Sequence, residues 1–91
     1  MAMAPAMKVL HVIAGAEIGG AETFAQDAIL ALQQRGVAQR VITRPWPRVM
    51  ARYAEAGVAA RGAGFARLDM RLPGRIRAAA RAMQADIVHA W

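Results

Sequence analysis

Hydrophobic residues follow two patterns along this chain, short continuous runs and longer stretches that repeat every three or four positions. Runs rich in Val, Ile and Leu are typical of strands buried on both faces, whereas the longer repeat is typical of amphipathic helices. The predicted strands are residues 8–14, 39–43 and 86–91. The predicted helices are residues 21–35, 48–56 and 73–84. Strands and helices therefore alternate along the chain.

A third, shorter strand is expected between the second and third helices. Residues 58–60 are expected to pair briefly, whereas Gly62 and Gly64 make residues 61–65 poor strand material and predict a ragged connection. The resulting order is β-α-β-α-β-α-β, which predicts an α/β fold. We expect a partial Rossmann-like, three-layer domain with a parallel sheet, right-handed crossovers and the strand order 3-2-1-4.

In that strand order the last strand is an unprotected hydrophobic edge, which soluble proteins avoid. The sequence therefore predicts a piece of a longer protein, with a disordered leader at residues 1–6 and an incomplete domain at residues 7–91. Within this domain, Phe24 is expected on the inner face of the first helix. His11 lies in the middle of the first strand and is expected to be a packed core histidine.

Composition narrows the class of protein. The chain has 91 residues, enough for one domain, and 57% of them are hydrophobic, which excludes an intrinsically disordered chain. There is no cysteine, so disulfides and thiolate metal sites are excluded and a reducing compartment fits. No apolar stretch reaches the roughly 18 residues of a membrane span. The net charge is +6, which fits an anionic partner, although the scattered arginines equally fit a solvated surface.

The segment that carries candidate chemistry is the glycine-rich turn at residues 15–20. Parallel sheets bind ligands beyond the carboxyl ends of their strands, at the switch point of the strand order. In this chain the switch point is expected at the glycine turn and the segment around His89. Free N–H groups at the start of a helix attract phosphate. A P-loop is excluded, because Ala21 and Glu22 stand where Lys and Ser or Thr are required. A dinucleotide fingerprint is excluded, because Glu17 replaces its second glycine. Glycines that only form a tight turn are the structural alternative.

A resemblance to a known family is carried by four segments, MKVLHVI, GGAE at a helix start, an AGV segment and ADIVHAW. Together they resemble the N-terminal domain of GT-B-fold, family 4-type glycosyltransferases, over residues 7–91. The resemblance implies two Rossmann-like domains that face each other across a cleft. The N-terminal domain would bind mainly the acceptor, and a C-terminal domain would hold most of the nucleotide-sugar donor.

The resemblance also implies roles for four residues. Gly19 and Gly20 fall on the glycine loop, whose backbone would approach the donor diphosphate. Glu22 would face the cleft as a polar contact to acceptor or sugar, and its structural alternative is a first-turn carboxylate favoured by the helix dipole. His89 matches the histidine beside the transferred sugar and is the catalytic candidate; its structural alternative is a half-buried residue at the end of an apolar strand. Many members carry a second histidine two positions further on, where this chain has Trp91.

The expected function is that of an N-terminal fragment of a retaining-type glycosyltransferase in glycan biosynthesis. Its parent would transfer a hexose from a nucleoside diphosphate sugar to a glycan or lipid-linked acceptor, and the fragment alone is expected to be inactive. No metal, cofactor or nucleic-acid partner is expected. The expected location is the cytoplasm, with peripheral contact at the inner face of the membrane. The alternatives are a small basic module that binds nucleic acid or another polyanion, and a non-functional truncated product.

Overall fold

The computed structural model describes residues 7–15, 19–63 and 71–91. The leader expected at residues 1–6 lies outside the described residues, as do turn residues 16–18 and residues 64–70. The described elements are, in chain order, β1 (Lys8–Ile13), α1 (Gly20–Gln34), β2 (Ala38–Thr43), α2 (Pro47–Glu55), β3 (Ala59–Gly62), α3 (Leu72–Met83) and β4 (Ile87–Ala90). This alternation confirms the predicted α/β class.

The four strands form one sheet in the order β3-β2-β1-β4, with every neighbouring pair parallel. This confirms the predicted partial Rossmann-like sheet. β1 lies in the centre, and its residue His11 is in register with Val41 of β2 and His89 of β4. Because all strands run in one direction, their carboxyl ends meet at one edge of the sheet, where ligands of such folds bind.

The core has two parts, one on each face of the sheet. The larger cluster joins the sheet to α1 and α2 and contains Ile13, Ala25, Ile29, Val41, Val49, Tyr53 and Val58. The smaller cluster lies under α3 and contains Leu10, Ile42, Ala63 and Met83. Alanines of α3 also pack against this smaller cluster and are only partly buried. Because their side chains are short, they cover little of the sheet. The α1 and α2 face is therefore the better-packed one.

The third strand is longer than expected, since β3 includes Arg61 and Gly62. A Cβ added to Gly62 would lie 2.7 Å from Cβ of Pro45. Glycine here permits close approach to the loop after β2, so this glycine marks a contact rather than a break. The Ala63 N–H continues the pairing by donating to the Thr43 carbonyl at 2.9 Å.

The prediction that Phe24 faces inward is wrong, because its side chain is 66% exposed. The buried stripe of α1 is centred on Ala25 and Ile29, which face β1 and β2 in the larger cluster. Phe24 lies about 100° away from Ala25 around the helix and meets Trp91, just beyond β4, instead. β4 itself is exposed at all four residues, as expected for an edge strand and against its buried-strand pattern.

Candidate functional site

The candidate site lies at the carboxyl ends of β1 and β4. Gly15 follows β1, α1 begins at Gly20, and Trp91 follows β4, where its backbone N–H donates to the Val12 carbonyl at 3.0 Å. The structure thus brings the glycine turn and the end of β4 to the same edge of the sheet, on either side of β1. This is the switch point of the strand order, because β2 and β4 flank β1 on opposite sides.

The glycines of the turn differ in their surroundings. A Cβ added to Gly15 or Gly19 would collide with the side chain of Glu22, whereas a Cβ added to Gly20 would have no heavy atom within 4 Å. Glu22 therefore folds back over the turn, and Gly15 and Gly19 make room for it. No contact among the described residues requires a glycine at position 20, and the space beside Gly20 is open.

The start of α1 has the electrostatics of an anion site. Gly19 is the N-cap residue and supplies no side-chain cap, and its carbonyl accepts a hydrogen bond from the Thr23 N–H at 3.1 Å. The first N–H groups of a helix have no intrahelical acceptor and carry the positive end of the helix dipole. Glu22 in the first turn uses part of this potential, since its carboxyl lies against Gly15 and Gly19.

Three aromatic rings surround the end of β4. His89 and Trp91 are in contact with ring centroids 4.6 Å apart, and Trp91 meets Phe24 at 6.2 Å with an angle of 67° between the rings. His89 is exposed, and its ring lies 5.9 Å from that of His11 on the neighbouring strand. The catalytic candidate of the sequence therefore lies at the site, open to solvent, beside an aromatic pair that sequence reasoning missed.

His11 is buried behind these rings, as expected for a core histidine, and is 2% exposed. The Trp91 Nε1–H donates to His11 Nδ1 at 3.1 Å, and His11 Nε2 lies 2.8 Å from Gln39 Oε1, to which it donates. The Gln39 amide in turn donates to the Ile29 carbonyl at 2.8 Å. These bonds fit the neutral ring with its proton on Nε2, because Nδ1 accepts and Nε2 donates.

Burial lowers the pKa of His11, since a charged ring would lose its hydration there. The hydrogen bond with Gln39 raises this pKa in part, and the nearby His89 lowers it further. His11 consequently acts as a neutral bridge. Regular alternation along β1 and β2 could have placed His11 and Gln39 on the same face. The link to Trp91 depends on strand register, which the sequence does not specify.

A small cavity lies beside the glycine turn, and a larger hollow lies away from the site. A cavity of about 10 Å³, room for about one water, lies between Glu22, Gln26, Thr43 and Tyr53. The Tyr53 hydroxyl is buried there with no hydrogen-bond partner among the described residues, and burial raises the pKa of Tyr53 to about 12. The larger hollow, about 810 Å³, lies along β3 and α3 and contains none of the site residues.

Residues 7–15, 19–63 and 71–91 contain no group of three or more His, Cys, Asp or Glu side chains placed to hold a metal ion. Of the helices in the described part of the chain, none combines the length and the hydrophobicity needed to cross a bilayer.

The parallel sheet with helices on both faces is that of a partial Rossmann-like domain, and the glycine turn and His89 lie at its switch point. Residues 18–91 match the family model described as Glycosyltransferase Family 4. The chain is also 35% identical over 88 residues to the lipopolysaccharide core biosynthesis glycosyltransferase LpsD of Rhizobium meliloti (strain 1021). The chain therefore belongs to glycosyltransferase family 4.

The match with LpsD covers 93% of this chain and 25% of LpsD. The chain thus spans about a quarter of the length of that relative. No solved structure shows a significant match to the chain.

Proposed function

We propose that this chain is the N-terminal, acceptor-side domain of a GT-B-fold glycosyltransferase. The whole enzyme transfers a hexose from a nucleoside diphosphate sugar to a glycan or lipid-linked acceptor, with retention of configuration. Membership of glycosyltransferase family 4 supports the transfer reaction, and the name of LpsD, which acts in lipopolysaccharide core biosynthesis, supports the acceptor class. In this proposal the whole enzyme acts in the cytoplasm, with peripheral contact at the inner face of the membrane.

The observation that carries the proposal is the open space beside Gly20 at the start of α1. In the proposed complex, the backbone of Gly19 and Gly20 approaches the donor diphosphate. The N–H groups of the first turn offset the charge that develops on the leaving diphosphate. Glu22, which already lies over the turn, presents its carboxyl to a sugar or acceptor hydroxyl, and exposed His89 lies beside the transferred sugar.

A second domain supplies most of the donor contacts in this proposal. The 91-residue chain alone then binds a nucleoside diphosphate weakly and transfers no sugar. A chain that turned over a nucleotide sugar by itself would contradict this division of labour between two domains.

The test uses two glycines at which an added Cβ atom would have open space around it. Gly20 and Gly74 each lie in the first turn of a helix, and an added Cβ at either position would meet no heavy atom within 4 Å. Both Gly20→Ala and Gly74→Ala are therefore expected to fold and to gain up to about 1 kcal/mol of stability from helix propensity. Only Gly20→Ala places a methyl group where the diphosphate is proposed to lie.

The measurement is a titration of the ¹⁵N-labelled chain with uridine diphosphate and guanosine diphosphate. We expect saturable amide shifts at Gly20, Ala21 and Glu22 in the unsubstituted chain and in Gly74→Ala, and their loss in Gly20→Ala. Shifts that persist unchanged in Gly20→Ala would assign the glycine a purely structural role. Absence of any shift in the unsubstituted chain would remove the diphosphate from this helix start.

A second candidate function, binding of a polyanion, is favoured by one observation on the opposite face. Arg40, Arg61 and Arg75 line the 810 Å³ hollow, and no acidic residue is among its lining residues. A steep fall of nucleic-acid affinity with increasing salt would support this candidate. Salt-insensitive binding of a nucleoside diphosphate at α1 would support the glycosyltransferase instead.

A further inference from the structure

Tyr53 carries a buried hydroxyl that has no hydrogen-bond partner among the described residues. The residue is 0% exposed, and burial raises the pKa of Tyr53 to about 12, so the phenol keeps its proton at neutral pH. A buried O–H group without a partner costs stability, and most such groups in folded proteins are paired with a protein atom or an ordered water. The ring packs between α1, α2 and the sheet, so the acceptor of this proton has to be small enough to enter the core.

The Tyr53 side chain extends to the small cavity beside the glycine turn. Tyr53 lies in α2, and Trp46, which precedes this helix, lines the same cavity. The two residues are about 10 Å apart along the helix axis. Long side chains in a helix point towards its N-terminus, so the ring of Tyr53 extends towards Trp46. The hydroxyl, at the far end of the ring, is therefore the part of Tyr53 that borders the cavity.

The cavity has the size and the lining that a single water requires. Its volume is about 10 Å³, close to the smallest volume that holds one water. Glu22, Gln26 and Thr43 line it together with Tyr53, and all four side chains carry polar atoms. Buried waters usually make about three hydrogen bonds, whereas cavities lined only by apolar groups stay dry. This cavity offers enough polar groups for one water and no room for a larger molecule.

We infer that the Tyr53 hydroxyl binds one buried water in this cavity, and that this water links α2 to Glu22 over the glycine turn. Tyr53 donates to the water, and the water donates to the Glu22 carboxylate and to Thr43 Oγ1. Tyr53 borders the same cavity as these two residues but bonds directly to neither, which favours a bridge. The Glu22 carboxyl already lies against Gly15 and Gly19, and Gly15 also lines the cavity.

The water makes Tyr53 a positioning residue for Glu22. Held from α2 through the water, the Glu22 carboxylate keeps its place over the turn, where it is the proposed contact to a sugar or acceptor hydroxyl. This role in recognition rests on the proposed function. The water itself depends only on the buried hydroxyl and the cavity that it borders.

The direct test is a crystal structure of the unsubstituted chain at a resolution that shows ordered waters. We expect a water about 2.8 Å from Tyr53 Oη and within hydrogen-bond distance of a Glu22 carboxylate oxygen. A structure in which no water lies beside Tyr53 Oη would overturn the inference. A direct hydrogen bond between Tyr53 Oη and Glu22 would overturn it as well.

Tyr53→Phe tests the same bond in solution, because it removes the hydroxyl and keeps the ring. A hydroxyl that is bonded to a water contributes to stability, so its removal is expected to raise the equilibrium constant of unfolding about fivefold. A buried hydroxyl without any partner is a net cost, and its removal would lower that constant. Urea unfolding of both chains measures the sign of the change. An unchanged or lower constant in Tyr53→Phe would contradict the bound water.

The positioning of Glu22 is followed by the ¹³C signal of its carboxyl group, assigned by its loss in Glu22→Ala. The matched control is Val58→Ala, since Val58 packs in the same core cluster as Tyr53 but does not line the cavity. This control is expected to destabilise the chain at least as much as Tyr53→Phe. We expect the Glu22 signal to shift in Tyr53→Phe and to stay unchanged in Val58→Ala.

Equal changes of the Glu22 signal in the two variants, or no change in either, would give Tyr53 a purely structural role and overturn its positioning of Glu22. The titration with nucleoside diphosphates reports separately on the proposed function. Absence of diphosphate shifts in a chain that holds the water would remove the proposed donor contact alone. Diphosphate shifts in a chain without the water would remove this inference alone.

Discussion

His11 and His89 lie side by side on adjacent parallel strands, but their rings differ in solvent exposure and in hydrogen bonding. The two residues are in register, with ring centroids 5.9 Å apart. His11 is 2% exposed and uses both ring nitrogens in hydrogen bonds. His89 is exposed, and its ring forms no hydrogen bond with any residue that the structure describes.

The difference arises from the position of each strand. β1 has a neighbour on both sides, and α1 covers the face that carries His11, whereas β4 pairs only with β1 among the described strands. A buried polar group must be satisfied internally, while an exposed one keeps its capacity to bind a ligand. Two identical side chains in one row of the sheet are therefore buried and hydrogen-bonded in one case and exposed to solvent in the other.

The largest effect that would test this comparison is expected from His11→Ala. The substitution leaves a cavity in the core and removes the partners of Gln39 and Trp91, so we expect the free energy of unfolding to fall by about 3 kcal/mol. Urea unfolding followed by circular dichroism measures this change. A loss below about 1 kcal/mol would show that the buried network contributes little.

Gln39→Leu is expected to have the next largest effect. It leaves the His11 Nε2–H buried without its acceptor, at a cost of about 2 kcal/mol in the free energy of unfolding. A double-mutant cycle with His11→Ala separates the shared bond from the other contacts of each residue. Additive losses in the cycle would contradict a coupled network.

The pH dependence of stability is the third test of the comparison. Because burial holds the folded pKa of His11 below its ordinary value of 6.5, the unfolded chain binds the proton more readily than the folded one. The contribution of His11 to the free energy of unfolding is therefore fully present above about pH 6.5. It falls as the pH drops towards the folded pKa, by at most about 1.4 kcal/mol per pH unit. Urea unfolding across this range measures the slope.

The control for the pH test is His11→Asn, which removes the titrating ring. The slope below about pH 6.5 should shrink in this variant relative to the unsubstituted chain. An unchanged slope would assign the effect to other groups.

A smaller effect is expected from Trp91→Phe, which keeps an aromatic ring and removes the N–H that His11 accepts. The lost bond is expected to cost about 1 kcal/mol in the free energy of unfolding. Because Nδ1 then has no donor facing it, the His11 pKa should also rise, which NMR titration of the ring measures.

Trp46→Phe is the matched control, since Trp46 also loses one indole N–H bond, to the Gly15 carbonyl at 3.2 Å. It should cost a similar amount of stability without moving the His11 pKa. An equal pKa change in both variants would contradict a direct role of Trp91.

Sequence patterns predicted the order of elements and the strand order, because buried strands and amphipathic helices have different hydrophobic periods. They also predicted that the glycine turn and His89 share one edge of the sheet, which follows from parallel strands. Gly62 was interpreted wrongly, since its role is the close approach to Pro45. A glycine gives the same local signal whether it breaks a strand or admits a neighbour.

The contact between Phe24 and Trp91 could not be predicted from the sequence for a different reason. Phe24 fits the helical repeat of α1, and only the rotation of that helix on the sheet, centred on Ala25 and Ile29, turns it towards β4. The partners of His11 depend on the register of three strands and on the path after β4. Periodicity specifies neither rotation nor register, so tertiary packing decides both.

The smallest effect on stability is expected from His89→Ala. The ring is exposed and forms no hydrogen bond with a described residue, so the free energy of unfolding should change by less than about 0.5 kcal/mol. Measured beside His11→Ala under the same conditions, the pair of variants should differ by more than about 2 kcal/mol, although the two rings occupy one row of the sheet. A loss at His89 that approached the loss at His11 would mean that β4 shares the buried network, and His89 would then be a structural residue.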